Sequence, residues 1–350
     1  MGNPGVRSGL QWKVRLPKAV AKGETMRIGV VGLGFMGSTH LQGLAKVSQA
    51  QVVAVADRNQ ARLNGDLSDI EGNLGIQGLK MDFSGYRKYT EFEDMLADTE
   101  VDAVDICVPT FLHASMAMKA LAAGKHVLLE KPMALDGASC DELVAAAQQS
   151  GRIFMVAQVL RFLPQYQVLV ELVKSGRLGR VRSAIFRRRT AVPTWGAWEF
   201  DRDKSGGGVF DLLVHDVDMA LLLFGVPAAL SSTGYENLAG GVDMVTSEFS
   251  YENADSVTIT GGWHHRGAYP FSMEYTVVAD EGVVEYSSAG RPPAVYWKDG
   301  RKEELPAPEV DGYQAEIEYF VKCASGGVQP ERCLPAESAA AVKVDQKSVV

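Results

Sequence analysis

Short, almost wholly apolar runs alternate with helix-period segments over the first half of the chain, and strands take over after residue 161. The runs at 28–31, 51–56, 101–109, 126–130 and 152–158 are apolar in the manner of strands buried on both faces, with a weaker one at 86–90. Helical segments fall between them, at 91–97, 113–123 (stopped by Gly124) and 135–149. This alternation predicts a doubly wound parallel sheet over 26–160, interrupted by a polar excursion at 64–85. A helix at 163–175 follows. Strands are then predicted at 181–189, 229–235, 243–251, 255–264, 271–279 and in shorter pieces to Trp297. Gly, Asn and Asp turns such as Asp280-Glu281-Gly282 join them, so the second sheet should be open and mostly antiparallel. One helix, 208–224, interrupts these strands, and another at 310–324 closes the chain. The expected architecture is a Rossmann α/β domain at 26–160 followed by an α+β domain at 161–350.

Composition narrows the function classes. The chain has 350 residues, 46% of them hydrophobic and 22% charged, as expected of a globular protein of about two domains. A net charge of −8 argues against a nucleic-acid partner or an anionic membrane surface. No run reaches the ~20 apolar residues of a membrane helix. Cys107, Cys140, Cys323 and Cys333 are scattered without metal-ligand spacing, so reduced thiols, no metal and a cytoplasmic location are expected. The first 25 residues are basic, carry no apolar signal core and depart from the myristoylation pattern at Val6; they are expected to form a poorly ordered extension.

Three stretches carry chemistry. The first strand breaks into Gly32-Leu33-Gly34-Phe35-Met36-Gly37 and resumes as a helix. Gly32 permits the turn, Gly34 lets main chain approach a pyrophosphate, and Gly37 lets helix and strand pack closely. The helix N-terminus then faces the phosphates. Asp57 ends the next strand, ~20 residues on, where a carboxylate accepts the ribose hydroxyls of NAD; the adjacent Arg58 would instead accept the 2′-phosphate of NADP. Lys131, between Glu130 and Pro132, ends a parallel strand, where open sheets bind ligands. Finally, Asp211 and His215 stand four residues apart on a helix that is apolar almost all round. Two titratable groups on a buried stripe need partners or a function.

Together these pieces resemble the Gfo/Idh/MocA oxidoreductases. The likeness runs from Met26 to the closing helix. It rests on GLGFMG, Asp57, VPTFLH at 108–113, GKHVLLEKP at 124–132, Arg161-Phe162 with Pro164, GRLGRV at 176–181, and GGG-x-x-D-x-x-x-H at 206–215. The resemblance implies a nicotinamide cofactor held by Gly32, Gly34, Phe35, Met36, Gly37, Asp57, Arg58, Pro109, Thr110, His113, Glu130 and Lys131. NAD is preferred on account of Asp57, with NADP admitted by Arg58. Likeness to the inositol dehydrogenase branch implies a catalytic Lys131, His215 as proton acceptor, and Asp211 as its orienting and substrate-binding partner. The substrate is then a sugar or cyclic polyol oxidised at a secondary hydroxyl, with Arg161 and Trp198 offered as further contacts and Trp195, His264 and His265 nearby.

Two other functions use this fold: a glycosidase with bound NAD, and a non-catalytic NAD-binding regulator. The trio Lys131, Asp211 and His215 favours the dehydrogenase. A weakly polar outer sheet face (Met244, Thr246, Thr258, Thr260, Thr276, Val278) leads us to expect a homodimer or homotetramer built through that sheet.

Overall fold

A computed structural model describes residues 25–70, 79–192, 198–236, 242–265 and 269–348. The N-terminal extension to residue 24, part of the 64–85 excursion, and Trp195 lie outside the described residues, as does the His264 side chain.

The first sheet is built from β1 (Met26–Val31), β2 (Ala50–Ala56), β5 (Arg87–Tyr89), β6 (Ala103–Ile106), β7 (His126–Glu130) and β8 (Phe154–Ala157). A separate two-stranded ribbon, β3 (Asp66–Leu67) with β4 (Leu79–Lys80), lies in the excursion. The six strands are all parallel in the order β5-β2-β1-β6-β7-β8. β1 starts the chain in the middle and successive strands build outward on either side, so the switch point lies between β1 and β6. The crossovers carry α1 (Phe35–Leu44), α2 (Gln60–Leu63), α3 (Phe92–Ala97), α4 (His113–Ala122) and α5 (Gly137–Ser150). Residues Ala103 to Ile106 and His126 to Glu130 are buried throughout, which explains their unbroken apolar character apart from three polar side chains.

After α6 (Pro164–Lys174) come β9 (Val181–Ala191), the short α7 (Arg202–Ser205), α8 (Gly208–Phe224) and the strands β10 (Ala229–Glu236), β11 (Val242–Ser250), β12 (Val257–His265), β13 (Ser272–Ala279), β14 (Gly282–Ser287), β15 (Arg291–Trp297) and β16 (Lys302–Glu304). Their order is β10-β11-β12-β9-β13-β14-β15-β16; every pair is antiparallel except β9 with β12. Alternate residues Ala184, Phe186, Val245, Phe249, Val257, Ile259, Tyr275 and Val277 form one buried face, and α8 lays Val209, Leu213, Val217 and Ala220 on it. At the start of α8 a Cβ on Gly208 would fall 1.5 Å from Trp263 Nε1, so only glycine lets the helix sit this close.

The last part of the chain departs from the expected division at 160/161. α9 (Gly312–Gly326) packs on α1 and buries Ile317, Phe320 and Val321 among first-domain residues Ile28, Leu41 and Leu44. Its apolar stripe fits that sheet, so 161–350 is not one packed body. A final helix absent from the sequence reading, α10 (Pro335–Ser348), wedges between the two: Ala339 and Val342 join the first-domain core, Ala341 and Val344 the second. No helix among the described residues is long and apolar enough to cross a membrane.

Candidate active site

The main cleft, about 900 Å³, opens at the carboxyl ends of β1, β2, β6 and β7 and is closed on its far side by α8 and β13. At its first-domain end the three glycines divide their work as their spacing suggests. Gly32 has φ +87°, and a Cβ there would meet Cys107 O at 2.4 Å. A Cβ on Gly37 would sit 1.9 Å from Gly32 O, so Gly37 is packing and not lining. A Cβ on Gly34 would meet, apart from its chain neighbours, only Arg62 Nη1 within 4 Å among the described residues, at 3.8 Å. That open space beside the N-terminus of α1 suits a diphosphate, so these residues fit a dinucleotide. Asp57 is tied to the loop: Leu33 N–H donates to its Oδ2 and Asn59 N–H to its Oδ1, both at 2.7 Å. Phe35, Met36, Arg58, Pro109 and Thr110 also line the cleft.

At the other end Lys131 crosses from the β7 terminus to the first turn of α8, donating to Asp211 Oδ1 and to Asp211 main-chain O, each at 3.0 Å. His215 lies one turn further along the cleft wall. Burial, with Lys131 and Arg188 nearby, holds its imidazole well below the usual range, so it is neutral at physiological pH. Its Nδ1 is buried without a hydrogen-bond partner among the described residues, and the residue lines the cleft. Trp198 lines the same end, as do Glu130 and Tyr313.

Three residue assignments from the sequence are corrected. Arg161 does not face the cleft. It is buried, donating to both Asp218 oxygens at 2.7 Å and to Arg332 O at 2.6 Å, and it pairs with Glu337. This cation neutralises a buried acid of α8 at the junction with α10. His113 is also buried away from the cleft, its Nδ1 2.7 Å from Pro132 O and its Nε2 2.7 Å from Val108 O. It braces two cleft loops. Asp211 partners Lys131, and no hydrogen bond joins it to His215.

The sequence reading missed Arg188, whose side chain lies on the buried face of β9 and reaches the cleft beside His215. Nε and Nη2 donate to Asp216 at 2.7 and 3.2 Å. The strand alternation was the available signal: Arg188 has the inward phase of Ala184 and Phe186. Arg62, beside Gly34, had no such signal, because a surface helix turn brings it there.

Residues 26–158 match the Gfo/Idh/MocA family, described as an oxidoreductase family with an NAD-binding Rossmann fold, and residues 166–285 match the C-terminal domain of that family. The chain belongs to it. Among relatives, the inositol 2-dehydrogenase of Salmonella paratyphi B is 31% identical over 319 residues, covering 87% of this chain and 88% of that protein. The myo-inositol 2-dehydrogenase of Thermotoga maritima is 29% identical over 201 residues, 57% of this chain, and that match spans only 55% of its own length. Levoglucosan dehydrogenase, solved with NADH and levoglucosan, superimposes with a TM-score of 0.79 at 20% identity, over 93% of this chain and 96% of that one; at that identity the likeness shows the fold. As a Gfo/Idh/MocA protein the chain is an oxidoreductase with an NAD-binding domain.

Proposed function

We propose that this Gfo/Idh/MocA protein is an NAD-dependent dehydrogenase that oxidises a secondary hydroxyl of a sugar or cyclic polyol. The observation that carries it is the Lys131–Asp211 bridge, set beside a neutral His215 outside the β7 terminus. The names of relatives that act on inositols, and of a structural neighbour holding NADH and levoglucosan, support the substrate class.

Gly32, Gly34 and the start of α1 hold the diphosphate by main-chain N–H groups, and Asp57 accepts the ribose hydroxyls. The bound nicotinamide supplies the hydride acceptor. His215 takes the hydroxyl proton at Nε2, a role that needs the unprotonated ring that burial provides. Lys131, oriented by Asp211, donates to the same substrate oxygen and stabilises the charge that develops there. Trp198 and Arg188 flank the substrate.

The test is a sugar and polyol panel with NAD and with NADP, followed by absorbance of the reduced nicotinamide. Turnover of at least one neutral sugar or polyol by the wild type, lost in Lys131→Met, is expected. No turnover across the panel, or undiminished turnover in Lys131→Met, overturns the proposal.

A further inference from the structure

Behind the Lys131 turn lies a buried cluster of ionisable groups that the reaction above does not use. His40 of α1 is fully buried. On one side its Nδ1 lies 2.9 and 3.1 Å from the two oxygens of Asp105. On the other its Nε2 lies 2.9 Å from Glu130 Oε1. That second approach is too bent to be a linear hydrogen bond, so charge holds it more than direction. The other Glu130 oxygen, Oε2, accepts the main-chain N–H of Lys131 at 2.9 Å. Among the described residues, the other groups facing His40 are the Cys107 thiol just past β6 and Tyr313 and Glu316 from α9.

We propose that His40 is a permanent imidazolium clamped between Asp105 and Glu130, and that this clamp makes Glu130 a positioning residue for the catalytic Lys131 turn. The role assigned to Lys131 under the proposed function is the premise. A ring with a carboxylate about 3 Å from each nitrogen avoids setting a lone pair against a carboxylate only when both nitrogens carry protons. Burial is the largest single influence and disfavours the charge, but Asp105 and Cys107 together outweigh it and hold the ring above its usual range. Burial likewise opposes ionisation of Glu130, and His40 with Lys131 keeps it below the usual carboxylate range. One cation thus serves two anions. A third ionised carboxylate would be costly, and Glu316 is accordingly pushed well above the usual range by burial and by Glu130 and Asp105, against His40; neither of its oxygens has a hydrogen-bond partner. The ionised Glu130 fixes the main chain at Lys131, and that fixed turn aims Nζ at Asp211 and the substrate.

The first test reads the ring directly. With selective ¹⁵N-histidine labelling of the full chain, and assignment by His40→Gln, both ring nitrogens of His40 should show bound protons from about pH 6 to 9. A neutral ring overturns the proposal. The second test is kinetic, on the best substrate of the panel. Glu130→Gln and His40→Gln should each lower kcat about 10-fold with KM and the NAD dissociation constant within about 3-fold, and the double variant should be no worse than the poorer single, because two amides can pair. Full kcat in a folded single variant, or losses that multiply, overturns it. If Lys131→Met retains turnover, the function itself is wrong; if Lys131→Met is inactive while Glu130→Gln is fully active, only the clamp is wrong. The donor atoms of His40, Asp105 and Cys107 lie within 4.8 Å of one another, so metal content is measured too. One zinc per chain in the purified protein would overturn the proposal, since the metal and not the proton would hold the carboxylate.

Discussion

Lys131 Nζ and Asp211 meet at 3.0 Å through two contacts, one to the carboxylate and one to the main-chain oxygen. The lysine ends a strand of the first sheet and the aspartate begins the helix that supports the second, so the reacting centre that we propose exists only where the two are docked. The main-chain contact is insensitive to the aspartate side chain. Asp211→Asn should therefore keep Lys131 in place, with kcat about 10-fold lower and NAD affinity unchanged. Lys131→Met and His215→Ala should lose about 10²–10⁴-fold in kcat. Steady-state kinetics beside calorimetric NAD titration separates the two quantities.

The pH dependence of kcat/KM follows from the direction of the His215 shift. A base must be unprotonated, and this ring stays so well below its usual pKa. Activity should persist as pH falls through 6.5, where an unperturbed imidazole titrates, and fail only at lower pH. An acid limb centred above pH 6.5 that vanishes in a folded His215 variant would contradict the neutral ring.

Asp57 sets the cofactor preference that we propose. Its oxygens are anchored by Leu33 and Asn59 N–H groups, and a 2′-phosphate beside it would face a like charge costing ~1–4 kcal/mol at ~4 Å. Asp57→Ser should weaken NAD and strengthen NADP, with Arg58 and Arg62 left to receive the phosphate. Calorimetry with both cofactors checks it; an unchanged preference counts against the assignment.

Arg161 is a stability residue. Truncation to Met leaves Asp218 buried without its cation, which typically costs ~3–5 kcal/mol. Chemical denaturation should show that loss, and KM of the folded fraction should match wild type. A raised KM at unchanged stability would restore a substrate role.

His126 gives a pH dependence of stability with a definite sign. Its Nδ1 accepts the buried Ile153 N–H at 3.0 Å, and burial followed by Arg152 pushes the ring down to about 4. The unfolded chain takes up the proton at about 6.5 and the folded chain only near 4. This contribution is present above 6.5 and is lost as pH falls to 4, at most about 3 kcal/mol. Denaturation midpoints across that window should drop, and less steeply in His126→Gln.

The outer face of the second sheet is proposed as the contact between copies. Ile185 and Val278 stay 41% and 38% exposed there, while Glu274 is held at 2.5 Å by both Arg187 and Arg189. The centre is therefore a neutralised ion strip flanked by apolar groups, not the plain weakly polar face that its threonines suggest. Ile185→Asp should convert the oligomer to monomer in light scattering, and a monomeric wild type at micromolar concentration would end the idea.

The sequence by itself determined everything that depends on local periodicity and spacing. Largely apolar runs read as buried parallel strands, α8 was readable residue for residue, and the glycines marked the loop that we propose holds a diphosphate. The place of Lys131 at the cleft was legible because it ends a parallel strand, where such sheets bind ligands. What the tertiary structure decided was pairing between distant side chains. Arg188 carried one local signal, the inward phase of β9, but nothing local told that Arg161 would neutralise Asp218 instead of reaching the cleft; only the docking of α8 decided that. Asp211 stands at helical spacing from His215, but an i, i+4 relation gives proximity without direction, and Lys131 from the other domain took the carboxylate. His40, Asp105, Glu130 and Glu316 come from four elements, so their buried cluster had no signature along the chain. α10 escaped too: its alanine-rich sequence has little amphipathic contrast, and its place between two cores exists only once both have formed.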